Sequence, residues 1–151
     1  MEKEREQILK KIVRGNNRLR TIVLDTNILI DNVHGFASWV DDFLDQPKEY
    51  RLIISTIVVA EYLTAQEAET TYGRLKSKNY LALFEKTDLT FEIAEVLGQI
   101  LRRKTYVVSA NTADLIIAAT ALYLNAELAT RNKNDFAKIP NLRFFDPKRL
   151  N

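Results

Sequence analysis

The sequence predicts an α/β fold built on a parallel sheet, and three observations carry that expectation. Short β-suited runs, Thr21–Leu24 and Arg51–Ile54 foremost, alternate with segments of helical length, the order that βαβ units require. Both runs are nearly continuous apolar stretches, as strands covered on both faces are. The first then ends abruptly in an acid, in Ile22-Val23-Leu24-Asp25-Thr26-Asn27. In open α/β sheets the carboxyl ends of strands are where ligands bind.

The elements follow in order. Residues 1–20 read as a charged, helical arm whose Ile8, Leu9, Ile12 and Val13 form one apolar stripe. That pattern serves a solvated or docking helix, or an arm that tracks RNA or binds a partner. After the strand at 21–24 comes a polar turn, then a helix over Phe36–Leu44 with Phe36, Trp39, Val40, Phe43 and Leu44 on one stripe, ended by Gln46-Pro47. The strand at 51–54 leads into Ser55, an N-cap for a helix to about Gln66. A helix over 68–79 and a short strand at Leu81–Phe84 come next, and Thr90 caps a helix to about Arg103. A polar loop at Ser109–Asn111 precedes a helix over 112–124, and Glu127–Ala129 and Leu142–Phe145 supply the last strands.

Composition narrows the chemistry. At 151 residues the chain predicts one globular domain, 21–151, behind its arm. It has no cysteine, which excludes disulfides, thiolate nucleophiles and cysteine zinc sites, and one histidine, His34. None of its four glycines forms a dinucleotide or P-loop motif. The N-terminus lacks a signal-like apolar core, and no stretch is long enough to span a bilayer, so a cytoplasmic place with no membrane partner is the expectation. The net charge of +2 divides into +4 over residues 1–20 and −2 over the remainder. Nucleic-acid binding must therefore rest on local patches. Carboxylate chemistry is what remains.

Four acids stand where apolar segments turn polar. Asp25 suits an Asx-type turn that caps the following amides, and equally a ligand at a strand end, with Asn27 orienting it. Glu61, in Ile57-Val58-Val59-Ala60-Glu61-Tyr62, reads as an ordinary exposed helical residue, or as an acid that is buried or at a stripe boundary. Asp114 falls at the third helical position if Asn111 is the N-cap, where it closes a capping box. The helix behind it is unusually apolar, so its N-terminus is expected at the sheet's ligand edge. Asp135 reads as a loop acid just past the strand at 127–129.

Taken together, Val23-Leu24-Asp25-Thr26-Asn27, Ser55-Thr56-Ile57-Val58-Val59-Ala60-Glu61, Thr112-Ala113-Asp114-Leu115-Ile116-Ile117-Ala118-Ala119-Thr120-Ala121 and Thr130-Arg131-Asn132 with Asp135-Phe136 resemble the PIN domain in order and spacing. Within that family the resemblance is greatest to the VapC-type ribonuclease toxins. It covers roughly residues 21–146 and implies a three-layer α/β/α sandwich around a central parallel sheet. It also implies that Asp25, Glu61, Asp114 and Asp135 gather in one groove as catalytic residues and as ligands of Mg²⁺ or Mn²⁺. Thr130 and Asn132 match polar positions beside the metal, and Asn27 supports the first acid. The arm at 1–20 departs from compact toxins of this type, which begin almost at the first strand.

Those residue types suit the chemistry. Phosphodiester cleavage needs an activated water and neutralisation of oxygen charge, and hard carboxylate oxygens suit Mg²⁺. Asp25 and Asp114 are the expected primary ligands, with Glu61 acting through water and Asp135 completing a second site. Single-stranded or loop RNA is the expected substrate, with Arg131 and Lys133 positioned to hold phosphates or simply to be solvated. The resemblance further implies a homodimer and a small antitoxin protein as partner. The rivals are a PIN-like domain for RNA processing or non-catalytic binding of RNA or protein, a structural α/β module, and an α/β phosphatase. The last expects a second Asp two positions after Asp25, where this chain has Asn27.

Overall fold

The computed structural model describes residues 19–103 and 111–150. Strand β1 (Arg20–Leu24) is central, and its residues Ile22, Val23 and Leu24 are fully buried. Beside it lie β2 (Tyr50–Ser55) and β4 (Glu127–Ala129), with β3 (Glu85–Thr87) and β5 (Arg143–Phe144) at the edges, in the order β3-β2-β1-β4-β5. All neighbours are parallel, and Ile22 stands opposite Leu52 on one side and Glu127 on the other. Successive strands thus run outward one way from β1 to β3 and the other way from β4 to β5. The order reverses between β1 and β4, the switch point at which parallel α/β sheets open a crevice.

The predicted α/β class and parallel sheet are what is observed. The helices are α1 (Thr26–Val33), α2 (Trp39–Leu44), α3 (Thr56–Tyr62), α4 (Thr71–Leu81), α5 (Phe91–Arg102), α6 (Thr112–Tyr123) and α7 (Lys133–Phe136). Among the helices α1 packs against α3 and α5 against α6, the grouping that right-handed crossovers between parallel strands impose. Three layers result. The most apolar helix, α6, buries Leu115, Ile117, Ala118, Ala119 and Ala121. Each exchange of Ile117 or Leu128 with water on unfolding costs about 1.5–3 kcal/mol, so this layer anchors the sheet.

Several helix starts fall where the sequence places them. Ser55 accepts a hydrogen bond from Ile57 N, Thr90 from Ile93 N, and Asn111 from Asp114 N. Other elements differ. The polar turn expected after β1 is the start of α1: Asp25 is its N-cap, and Ile28, Leu29 and Asn32 form its buried face. The helix expected over Phe36–Leu44 begins at Trp39, because α1 closes on Gly35 at φ 82° with Gly35 N bonded to Asn32 O and Phe36 N to Asp31 O. That is a Schellman stop, in which a left-handed glycine reverses the chain. Phe36 is therefore not on the stripe and is 82% exposed.

The strand expected at Leu81–Phe84 lies instead at Glu85–Thr87. Leu81 and Phe84 are both buried at the end of α4, a spacing of three that belongs to the helical turn there. The helix from Ser55 stops at Tyr62 rather than near Gln66, and a 3-10 turn at Gln66–Glu69 intervenes before Thr70 caps α4. Residues 1–18 of the predicted arm 1–20, and Ser109 of the polar loop, lie outside the described residues. Arg20, counted in that arm by sequence, opens β1 and forks onto Glu127 with contacts of 2.6 and 3.0 Å. Among the described residues no helix is long and apolar enough to cross a membrane.

Candidate active site at the switch point

The carboxyl ends of β1 and β4 meet in a polar network centred on Asp25, which is only 5% exposed. Asp25 Oδ1 accepts from Thr26 N at 2.7 Å. Asp25 Oδ2 accepts from Thr130 Oγ1 at 2.7 Å and from Asn27 Nδ2 at 3.1 Å. A carboxylate oxygen offers two lone pairs, so Oδ2 is filled and Oδ1 keeps one free. The two readings of Asp25, helix cap and strand-end acid, are both satisfied by one side chain.

The neighbours are themselves held. Asn27 Oδ1 accepts from Arg131 N at 3.1 Å, and Asn132 N donates to Thr130 Oγ1 at 3.0 Å. Asn132 thus supports Thr130 through its backbone, and its side chain caps nothing. Thr26 Oγ1 donates to Glu61 Oε2 at 2.5 Å, so one threonine binds both Asp25 and Glu61. Sequence reasoning missed this link; a hydroxyl residue directly after the strand-end acid, at N1 of a helix, was the available signal. It also missed Asp31, whose Oδ2 lies 3.2 Å from Arg131 Nε.

Asp114 lies at the start of α6 and completes the capping box the sequence indicates: Asp114 N donates to Asn111 Oδ1 at 2.8 Å, and Asn111 N to Asp114 Oδ2 at 3.3 Å. Asp135 sits in the first turn of α7, a helix where the sequence suggested a loop. Burial pushes the Asp25 carboxyl above its ordinary pKa, and the charge of Glu61 adds to that; the bonds from Thr130, Thr26 and Asn27 oppose it. Burial likewise raises Asp114, reinforced by the charges of Asp25, Glu61 and Asp135 and opposed by the Asn111 backbone bond. Asp114 therefore feels the charge of each of the other three acids.

None of the four forms an ion pair with a described Lys or Arg. Nor, among the described residues, do three of them close into a ready-made ion cage. The donor set nonetheless fits a hydrated divalent ion. Mg²⁺ keeps several waters and takes only one or two carboxylates directly, and Asp25 Oδ1 has the free lone pair this requires. His34 is exposed at the C-cap of α1 and outside this network.

A five-stranded parallel sheet with a buried acid, Asp25, at the carboxyl end of its central strand defines the class of this α/β domain. The chain belongs to the PIN domain family, whose profile matches residues 22–142. It is similar to Ribonuclease VapC2 of Rickettsia felis, at 29% identity over 80% of this chain and 92% of the relative. Among solved structures it resembles VapBC-1 from nontypeable Haemophilus influenzae, with a TM-score of 0.70 and 25% identity over 83% of this chain and 97% of that one. It also resembles a toxin–antitoxin complex from Klebsiella pneumoniae, with a TM-score of 0.61 and 30% identity over 80% and 94% of the two chains.

Proposed function

We infer that this chain is a divalent-metal-dependent ribonuclease of VapC type, the toxin of a toxin–antitoxin pair, cleaving phosphodiester bonds of single-stranded or loop RNA. The observation that carries the reading is the buried Asp25, oriented from three sides by Thr26, Asn27 and Thr130 and raised in pKa beside other acids. A helix cap alone does not need three donors, burial and uncompensated neighbouring charge. A ligand for a cation does. The name of the Rickettsia relative and the toxin–antitoxin origin of the structural neighbours support the same reading.

In this scheme Asp25 and Asp114 hold Mg²⁺ or Mn²⁺, with Glu61 and Asp135 acting through water or at a second ion. The bound ion supplies charge neutralisation at the phosphoryl oxygens and lowers the pKa of water. The chain's own residues do the rest. Thr130 and Asn27 fix the Asp25 carboxylate, Thr26 ties Glu61 to it, and Asn132 holds Thr130 from behind. Arg131 and Lys133, on the exposed segment after β4, take phosphates flanking the scissile bond. The nuclease unit, expected from residue 21, begins with β1 at Arg20, and the residues before β1 serve as an accessory arm. A homodimer and a small inhibitory antitoxin protein are the partners expected of this reading.

The test is cleavage of single-stranded RNA with and without Mg²⁺ or Mn²⁺, comparing wild type with Asp25→Asn and Asp114→Asn. Wild type is expected to cleave only with the ion, and both variants to lose at least about a hundredfold in rate. Equal residual cleavage by all three proteins would sink the assignment. Co-purification with the product of an adjoining short reading frame tests the toxin role separately.

A further inference from the structure

A cavity of about 510 Å³ opens beside the acid network, on its β4 side, lined by Phe36, Trp39, Thr130, Arg131, Lys133 and Lys148 among others. Thr130 is shared: its hydroxyl donates to Asp25 while its residue walls the cavity. Two features of this cavity are unexplained by the core or the acids. Phe36 is 82% exposed, although the Schellman stop at Gly35 fixes its backbone through the bond to Asp31 O. In such a stop the residue after the glycine usually packs back onto the helix; here its position is set while the ring remains in solvent.

The second feature is charge. Around this cavity the acids are engaged: Asp31 pairs with Arg131, and Asp146 accepts from Lys148 N at 3.0 Å and lies 3.8 Å from Arg149. Lys133 and Lys148 are exposed and make no ion pair with a described residue. Cations and an unpacked aromatic ring at a site's edge are the elements that hold unpaired nucleic acid: a π-face for a base and ammonium groups for its phosphates.

We propose that this cavity binds one unpaired nucleotide of the RNA next to the scissile phosphate, with its base against Phe36 and its phosphate at Lys148 and Lys133. The proposal rests on the ribonuclease reading for its substrate, and it adds Phe36 and Lys148 as specificity-determining contacts outside the acid network. A nucleotide there lies across the Thr130 wall from Asp25, so its binding places the adjoining phosphodiester at the acids. The partly buried Trp39 beside it is the chain's one tryptophan, and its fluorescence reports occupancy.

The experiment titrates Trp39 fluorescence with a five-residue oligoadenylate, in chelator so that the strand stays intact, for wild type, Phe36→Ala, Lys148→Ala and Tyr72→Ala. Tyr72 is an equally exposed aromatic on α4 and serves as control. Wild type and Tyr72→Ala are expected to bind alike. Phe36→Ala should bind about 5- to 100-fold more weakly with an unchanged melting temperature. Lys148→Ala should lower the slope of log affinity against log salt by about 0.7. An oligomer lacking its bases should bind Phe36→Ala and wild type equally. Undiminished binding by Phe36→Ala and Lys148→Ala, or equal quenching by an acidic peptide, would overturn the subsite even if the wild type cleaves RNA. Quenching by the oligomer that Phe36→Ala abolishes would uphold it even if cleavage failed.

Discussion

Replacing Thr130 by Val removes one hydroxyl and leaves the side chain's shape almost unchanged. Thr130 is 6% exposed, and its Oγ1 donates to Asp25 Oδ2 at 2.7 Å while accepting from Asn132 N at 3.0 Å. A hydrogen bond to a charged group contributes about 1.5–3 kcal/mol. Asn132 is exposed, so water replaces the second bond at small cost. The expected net loss is about 2 kcal/mol, or roughly 4–8 °C in melting temperature for a domain of this size. Urea unfolding of four proteins measures it: wild type, Thr130→Val, Asp25→Asn and the double variant. If the bond is to the Asp25 carboxylate, the valine should cost less than half as much in the Asp25→Asn background. Ion affinity should also fall by about 10- to 100-fold, as when a ligand's orienting partner is lost. A cost below about 0.5 kcal/mol in both backgrounds would show that Thr130 does not hold Asp25, and the account of the site would fail with it.

Other outcomes follow from the same geometry. Asp114 titrates above its ordinary range in the folded chain, so the folded state binds more protons than the unfolded one between the two pKa values, and stability falls as pH rises through that window. Asp114→Asn keeps an oxygen for the capping bond, so its stability relative to ion-free wild type should improve from pH 4 to pH 7; a constant difference in urea unfolding would contradict the shift. Titration of Mg²⁺ into the wild type near pH 5 should release protons, detected by calorimetry in buffers of different ionisation enthalpy, whereas Asp25→Asn should release fewer. Phe136→Ala empties a fully buried site behind Asp135 and should cost about 3–5 kcal/mol by denaturant unfolding. A β-carbon at Gly73 would lie 1.6 Å from the Glu67 carbonyl oxygen, so Gly73→Ala should destabilise by about 1–3 kcal/mol in the same assay.

The central strands were legible because β1, β2 and β4 carry the buried apolar stretches Ile22-Val23-Leu24, Leu52-Ile53-Ile54 and Leu128-Ala129, a pattern that burial on both faces produces. The edge strand β3 was not, since Glu85-Lys86-Thr87 is polar and largely exposed, joining β2 by its backbone ladder with an Arg51–Glu85 ion pair rather than apolar side chains beside it. Helix α1 was hidden by its own start: Asp25-Thr26-Asn27 has the composition of a turn, and only the burial of Ile28, Leu29 and Asn32 reveals the helical face. The buried Asn32 reads as polar, yet its amide donates to Ala37 O and Asp41 and accepts from Tyr80. At the site, local patterns located the acids, but no local pattern could place Thr26 between Asp25 and Glu61, because that contact depends on α1 and α3 coming together.

The bond between Thr130 and Asp25 joins residues 105 positions apart. During synthesis the acid at the end of β1 emerges early, and everything that orients it from β4 emerges near the end. Parallel pairing across such a separation is slow to close and cannot begin until the later strand exists. A nascent chain that has reached β1 but not β4 therefore has the acid and lacks the hydroxyl that orients it.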